Sequence, residues 1–533
     1  MNKNRPLPVV VIFFFCALVF ICGCSDGPGK KAGKIQSLVP AQKETIKGFK
    51  NKGIEASKSD WPSFQGDIGN TGYSGLHFTG TGFKKLWEFS IGDHAWEYAP
   101  ETASWSVSPC IAKTGGRMLL FIGSHDKNFY AIDTADGSLV WQRPLGGLAM
   151  WAPLFVKALK PVSSQSADRL IVTCSDRSIY CLNPETGEIV WCTETAPWSA
   201  TVMPAVGSSP VLWTPKTGSG PFIIASIFHS DKAFFNSSQN GNIFVLDLNG
   251  KIVKKKKIAA SPLSSPCLAQ MGIFVNENRP ADEIAAESVN ESANESANES
   301  VKESADESKD IVFIADRAGS LMALTLPDLD ILWKKVLSGQ IYSSPSAFFT
   351  DSGLMVSIAD FFGMISVFSG IEGDLVWSVK TGFFVNAVPG VSSLGRPALT
   401  MPFGGNLFFE APAIYAGGFD RMVHAYDLFQ KKRLFSFMTE KYVASNLHSL
   451  FINNRRAVIF SSLDRNLYAV DAQTGSLLFK VKTPDMLWHF ERPGQTVWPG
   501  PVPVGRAESG GDTRGSMIIY ATPGNTIIAY AIE

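Results

Sequence analysis

The sequence predicts an all-β fold in which eight four-stranded antiparallel sheets stand in a closed ring, and three regularities carry that prediction. The first is an eleven-residue frame, Ala131-Ile-Asp-Thr-Ala-Asp-Gly-Ser-Leu-Val-Trp141, which reads as a strand end, a tight turn through Asp136-Gly137 and a returning strand. It recurs at 181–191, 367–377 and 469–479, more loosely at 323–333 and 425–435, and in shortened form from Val245. A small residue, a turn glycine and a terminal aromatic at fixed offsets mark an array of like supersecondary units. The second regularity is a set of short segments ending in proline, at Pro109, Pro153, Pro210, Pro266, Pro345, Pro389 and Pro501, with a degenerate copy at Ser445–His448. Proline is tolerated at the start of a strand, so each segment is expected to open the innermost strand of one sheet. The third is closure. The last unit, 516–533, lacks a fourth strand, and Lys84-Lys-Leu-Trp87-Glu-Phe-Ser90 has the form of that missing strand. Pairing the two leaves no open seam.

Taken in order, residues 1–24 read as an export signal. Lys3 and Arg5 precede the apolar run 9–20, which is short for a bilayer span. The run ends in Ile21-Cys-Gly-Cys24, which resembles a bacterial lipobox and implies lipidation of Cys24. Ser25 follows that cysteine, and by the same resemblance the outer membrane is favoured over the inner one, with the protein on the periplasmic face. Residues 25–60, rich in Gly, Lys and Ser, read as a flexible tether. The ordered region spans 61–533. The formal charge is zero and 45% of residues are hydrophobic, which gives no indication of a nucleic-acid partner and leaves ample apolar surface for a core.

Order begins at Trp61-Pro-Ser-Phe-Gln-Gly-Asp-Ile-Gly-Asn-Thr-Gly-Tyr73. This segment and the recurring frame resemble proteins with pyrroloquinoline-quinone-like (PQQ-like) repeats, whose tryptophan-docking motif has an alanine, an acidic or amide residue, a turn glycine and a tryptophan. The resemblance implies an eight-bladed β-propeller. It also implies that Trp87, Trp141, Trp191, Trp333 and Trp377 form a structural girdle on the outer strands and are not ligand contacts.

Polar hairpins carry Asp126-Lys127, Asp176-Arg177, Asp316-Arg317, Asp420-Arg421 and Asp464-Arg465. They are expected to join the second and third strands of their blades and to crowd one rim, either as capped turns or as a charged collar for a partner. Residues 276–310 form an acidic insertion with a decaying Asn-Glu-Ser-Ala repeat and little to bury. It is placed between the first two strands of the fourth blade and is expected to be disordered. Lys254–Lys257 fall on an outer strand, where charge discourages edge pairing.

No catalytic or metal set is apparent. The seven histidines are scattered, and Cys110, Cys174, Cys181, Cys192 and Cys267 are expected to be small buried residues, with pairing left open. A turn centred on Asp176-Arg177 would set Cys181 opposite Val172, which argues against a Cys174–Cys181 bridge. Off the girdle register, blade connections carry Trp96, Trp105, Trp151, Trp198, Phe383, Phe384, Tyr442, Trp488 and Trp498, and these form a candidate partner or ligand face. Three functions fit this reading. One is a lipid-anchored, non-enzymatic envelope scaffold for a protein partner, similar to the family's lipoproteins of outer-membrane protein assembly. Another is a quinoprotein dehydrogenase using PQQ and calcium on an alcohol or sugar. The last is a small-molecule-binding or sensory propeller. The resemblance implies an adjacent cysteine pair for alcohol-oxidising members, and none occurs here, so no cofactor is expected.

Overall fold

The computed structural model describes residues 60–90, 108–124, 126–158, 168–196, 207–215, 220–228, 241–258, 264–271, 309–382, 385, 388–394, 398–400, 406–443, 445–483, 500–505, 516–522 and 526–533. Residues Gln42–Glu533 form one compact unit. Its strands make eight antiparallel blades. The innermost strands are Cys110–Thr114, Leu154–Val156, Val211–Trp213, Cys267–Ala269, Ser346–Thr350, Gly390–Ser393, His448–Ile452 and Val502–Val504. Seven of them begin directly after the marker prolines, and the other begins at His448. The outermost strands, in the same order, are Leu139–Pro144, Ile189–Glu194, Ile252–Ile258, Ile331–Val336, Leu375–Lys380, Lys432–Met438, Leu477–Lys482 and, for the last blade, Phe83–Ser90.

Burial follows position in the blade. Middle strands such as Ile311–Ala315 are buried throughout, because neighbouring blades cover both of their faces. The outer strand of that blade, Ile331–Val336, is mostly exposed around the buried Trp333. The recurring frame closes each blade in one way. Trp141 stands opposite Ala131, Trp191 opposite Cys181, Trp333 opposite Ala323 and Trp377 opposite Val367, and the pairing slips by one residue immediately beyond each of them. The Trp141 indole N–H donates to Pro184 O at 2.9 Å, and its ring lies where a side chain on Gly187, at φ +71°, would stand 2.6 Å away. The same meeting of ring and turn glycine recurs at Trp87–Gly137, Trp191–Gly250, Trp333–Gly373 and Phe435–Gly475. Five of the eight blade boundaries are thus fastened by an aromatic ring that only glycine admits.

The ring closes through Phe83–Ser90, which pairs with Thr526–Ile532 and sets Trp87 opposite Ala529. The turn between the second and third strands of blade two holds three residues, Ser175 to Arg177, with Arg177 at φ +73°. Cys181 therefore faces Ile171, one position from the Val172 partner expected from a turn centred on Asp176-Arg177. The left-handed residue lengthens the loop by one and moves the register with it.

The axis of the wheel is filled by the chain itself. Edge strands leave alternate backbone groups unpaired, and here the lead-in segment supplies their partners. Carbonyls of Trp61, Pro62, Ile68, Gly69, Thr71 and Gly72 accept from the amides of Ile111, Phe155, Leu268, Ala347, Val391 and Ser449 at 2.7–3.0 Å. Each of those donors is the second residue of its innermost strand. The equivalent residue of blade eight is Pro503, which has no amide to satisfy. Tyr73–Phe78 then runs parallel to His448–Ile452 down the inside of blade seven. From the opposite end a short hairpin, Leu399–Thr400 and Leu407–Phe408, joins the inner edge of blade five. Tyr73 meets the hairpin's Phe409 edge to face at 5.5 Å, and the Tyr73 hydroxyl accepts from Ala398 N.

Candidate functional site

With the axis occupied, surface chemistry concentrates on the rim where blade connections and second-to-third-strand turns meet. Six of those turns are built alike. Asp126, Asp176, Asp316, Asp360, Asp420 and Asp464 each turn one carboxylate oxygen onto the amide two residues ahead at 2.8–3.0 Å. In three of them the second oxygen accepts a tyrosine hydroxyl, from Tyr130, Tyr180 and Tyr468. His424 takes that place beside Asp420 at 2.7 Å. Burial, followed by the neighbouring carboxylate, holds these tyrosine hydroxyls well above their usual range. Five of these carboxylates are committed through both oxygens, and capping accounts for them without a ligand, whereas Asp316 Oδ2 is buried without a hydrogen-bond partner among the described residues.

Blade five departs from this pattern. Where its counterparts carry Lys or Arg directly after the aspartate, it has Phe361, followed by Phe362. Phe362 is 52% exposed. Phe361 lies 5.4 Å from the ring of Tyr342, and its amide donates to Gln340 O. The Arg317 guanidinium sits 5.2 Å over the Tyr342 ring and donates to its hydroxyl at 3.0 Å. A half-buried cation on an aromatic, continued by an exposed phenyl ring, makes an anchored apolar ledge, and such contacts contribute about 0.5–1.5 kcal/mol each. Comparing this turn with Ala315-Asp316-Arg317 would have exposed the pair in the sequence, because Phe361 stands where Arg317 does.

Of the aromatic residues expected on this face, Trp151 and Tyr442 fall among the described residues. Trp151 is buried against Leu148 and Met150. Tyr442 is half-buried and packs on Phe419 at 5.1 Å. Trp96, Trp105, Trp198, Phe383, Phe384, Trp488 and Trp498 lie outside the described residues, as do the export signal, Cys24, the tether and residues 276–308 of the insertion. No helix among the described residues is long and apolar enough to cross a membrane.

The deepest titratable group is His448, at the start of the inner strand of blade seven. Nδ1 lies 2.7 Å from Pro501 O and Nε2 lies 2.6 Å from Gln65 Oε1, so the ring is held at both nitrogens. Burial pushes the imidazolium down to about 4, with the Pro501 carbonyl opposing weakly. The five described cysteines are free thiols. Cys192 is exposed and the other four are buried, and burial drives the thiols of Cys110, Cys174 and Cys267 well above the usual range. Among the described residues no three His, Cys, Asp or Glu side chains converge to hold a cation, and the axis is packed with the chain's own residues. These residues do not fit a calcium-bound quinone.

Residues 42–294 match the family model described as outer membrane protein assembly factor BamB. No curated protein matches the chain. Among solved structures, Sqt1 of Saccharomyces cerevisiae is similar at 10% identity and a TM-score of 0.53, over 84% of this chain and 99% of that one. A europium-containing methanol dehydrogenase is similar at 13% identity and a TM-score of 0.52, over 92% and 100% of the two chains. A quinohemoprotein alcohol dehydrogenase from Comamonas testosteroni is similar at 13% identity and a TM-score of 0.53, over 92% and 82%. At these identities the likeness is one of fold.

Proposed function

We propose that this PQQ-like β-propeller is a non-enzymatic binding scaffold of the bacterial cell envelope, of the BamB-like outer-membrane-assembly type, that takes a protein partner on its turn-and-connection rim. The observation that carries this reading is the Arg317–Tyr342–Phe361–Phe362 ledge, which puts a phenyl ring where the other aspartate turns put a basic residue. A large exposed phenyl ring beside a cation matches the composition of protein-binding hot spots. The family match, an assembly factor by description, supports the partner class. Lipidation at Cys24 would hold the scaffold at the periplasmic face of the outer membrane.

The test is photocrosslinking in intact cells from a photoreactive residue at position 362, with position 477 on the outer strand of blade seven as the exposed control. The expected result is an adduct with a barrel-assembly component at 362 alone, and membrane release of Cys24→Ala. Adducts identical at both positions would overturn the reading. So would an alcohol-dependent dye reduction by purified protein given PQQ and calcium, which belongs to the dehydrogenase alternative.

A further inference from the structure

The girdle is broken at one seam, between blades three and four, and both sides of the break are charged. On blade three the girdle position, opposite Val245, is held by Lys254 in place of a tryptophan. The strand that carries it, Ile252–Ile258, reads Ile-Val-Lys-Lys-Lys-Lys-Ile and is the open outer edge of its sheet. Lys254, Lys255 and Lys257 are exposed. The facing turn of blade four has no glycine, and its Asp328 lies 3.9 Å from Lys254. Four adjacent ammonium groups repel one another, and one solvent-exposed carboxylate at that distance leaves most of the charge uncompensated.

The acidic insertion is rooted at this same seam. Its two feet are tied together by Asp310, whose Oδ1 accepts from Met271 N and whose Oδ2 accepts from the Trp213 indole of blade three, both at 2.7 Å. Gln270 beside the first foot donates to Thr214 O, also on blade three, at 2.7 Å. The second foot continues towards the lysines, since Asp310 O accepts from Leu326 N and Leu326 is two residues from Asp328. From Asp310 to the Lys254 ammonium is therefore on the order of 20 Å, a span that about six extended residues cover. Residues 276–309 carry ten acidic and three basic side chains, and Asp306, Glu307, Glu303 and Glu299 are the acidic residues nearest that foot.

We propose that the outer strand Ile252–Ile258 is a docking surface for the chain's own acidic repeat, residues 276–309, held there in cis by its carboxylates on Lys254–Lys257. The occupant is set by charge complementarity, by the placement of its feet and by reach. It supplies at the broken seam the cross-blade contact that an indole makes elsewhere. A segment tethered at both ends reaches a local concentration that a free acidic partner does not match.

The test uses the full-length protein, dilute and at low ionic strength, with zero-length carbodiimide crosslinking mapped by mass spectrometry. Glutamates between 287 and 307 are expected to join Lys254–Lys257 within one chain, and these links should vanish in molar salt, where the screening length is about 3 Å. A second readout leaves the propeller sequence untouched. Replacing Glu291, Glu295, Glu299 and Glu303 by Gln should raise acetylation of Lys254–Lys257 severalfold, with Lys432 as the unaffected reference. The proposal is overturned by links spread evenly over lysines of other blades, by links between two copies in mixed-isotope protein, or by equal acetylation in the two proteins.

Discussion

A single buried imidazole reports on the axis of the wheel. His448 lies between the Pro501 carbonyl and Gln65 Oε1, and its complete burial disfavours the charged form. Its folded-state value of about 4 lies below the ordinary 6.5. The unfolded chain therefore takes up a proton near pH 6.5 that the native state refuses until about 4. The stabilisation is complete above 6.5 and is lost as pH falls towards 4, by roughly 3 kcal/mol in total. His448→Gln should flatten the fall of the urea midpoint between those values relative to wild type. Parallel slopes for the two proteins would remove His448 from the account. The girdle makes a second residue-scale prediction. Trp141→Ala should cost about 3 kcal/mol through the cavity it leaves. Gly187→Ala should cost more in the wild type than in Trp141→Ala, because with the ring gone only the strain of the left-handed backbone remains, about 1–2 kcal/mol. Additive costs in that double-mutant cycle would mean that ring and glycine do not meet in solution.

At the scale of elements, what could be read from the sequence separates by range. The frame 131–141 was legible because its ends, Ala131 and Trp141, pair across one hairpin and their spacing is preserved in each copy. The innermost strands were legible because proline marks their first position. The axial lead-in was not. Trp61–Gly72 has no period, and its partners lie from 50 residues away, at Ile111, to 377 away, at Ser449. Only Pro503, a missing donor where six blades supply one, hints in the sequence that the inner edges are occupied. The Phe361-Phe362 ledge was hidden for another reason, since its turn aspartate matches the polar turns and only the following residues depart. The lead-in also predicts a collective response. A side chain on Gly69 would stand 2.1 Å from Ala347 O, so Gly69→Ala must lift the segment from blade five. Because one segment serves six blades, amide exchange should quicken together at Ile111, Phe155, Leu268, Ala347, Val391 and Ser449. Acceleration confined to Ala347 would show that the contacts open independently.

For the whole molecule, the decisive feature is that one blade is assembled from both ends of the ordered chain. Seven outer strands follow their neighbours through short turns, so a local break leaves them tethered beside their partners. Phe83–Ser90 is joined to Thr526–Ile532 only through space, and a contact that closes so long a loop forfeits more entropy when it must re-form. Glu88 and Lys334 isolate that difference. Each is exposed and immediately follows a girdle tryptophan, Trp87 or Trp333, and each pairs one residue beyond it, with Ile528 and Met322 respectively. Proline at either position removes the same donor and imposes the same backbone angle, for a local cost of about 3 kcal/mol. Lys334→Pro should shift the calorimetric transition and leave its width unchanged. Glu88→Pro should lower it further and broaden or split it, because freeing the strand unfastens Trp87 from the Thr134 carbonyl of blade one, to which its indole donates at 2.9 Å, and turns a circle into an open row of blades with two ends. Equal shifts with equal widths would mean that the seam is no more consequential than any other blade boundary, and that the wheel's cooperativity resides in the axial segment instead.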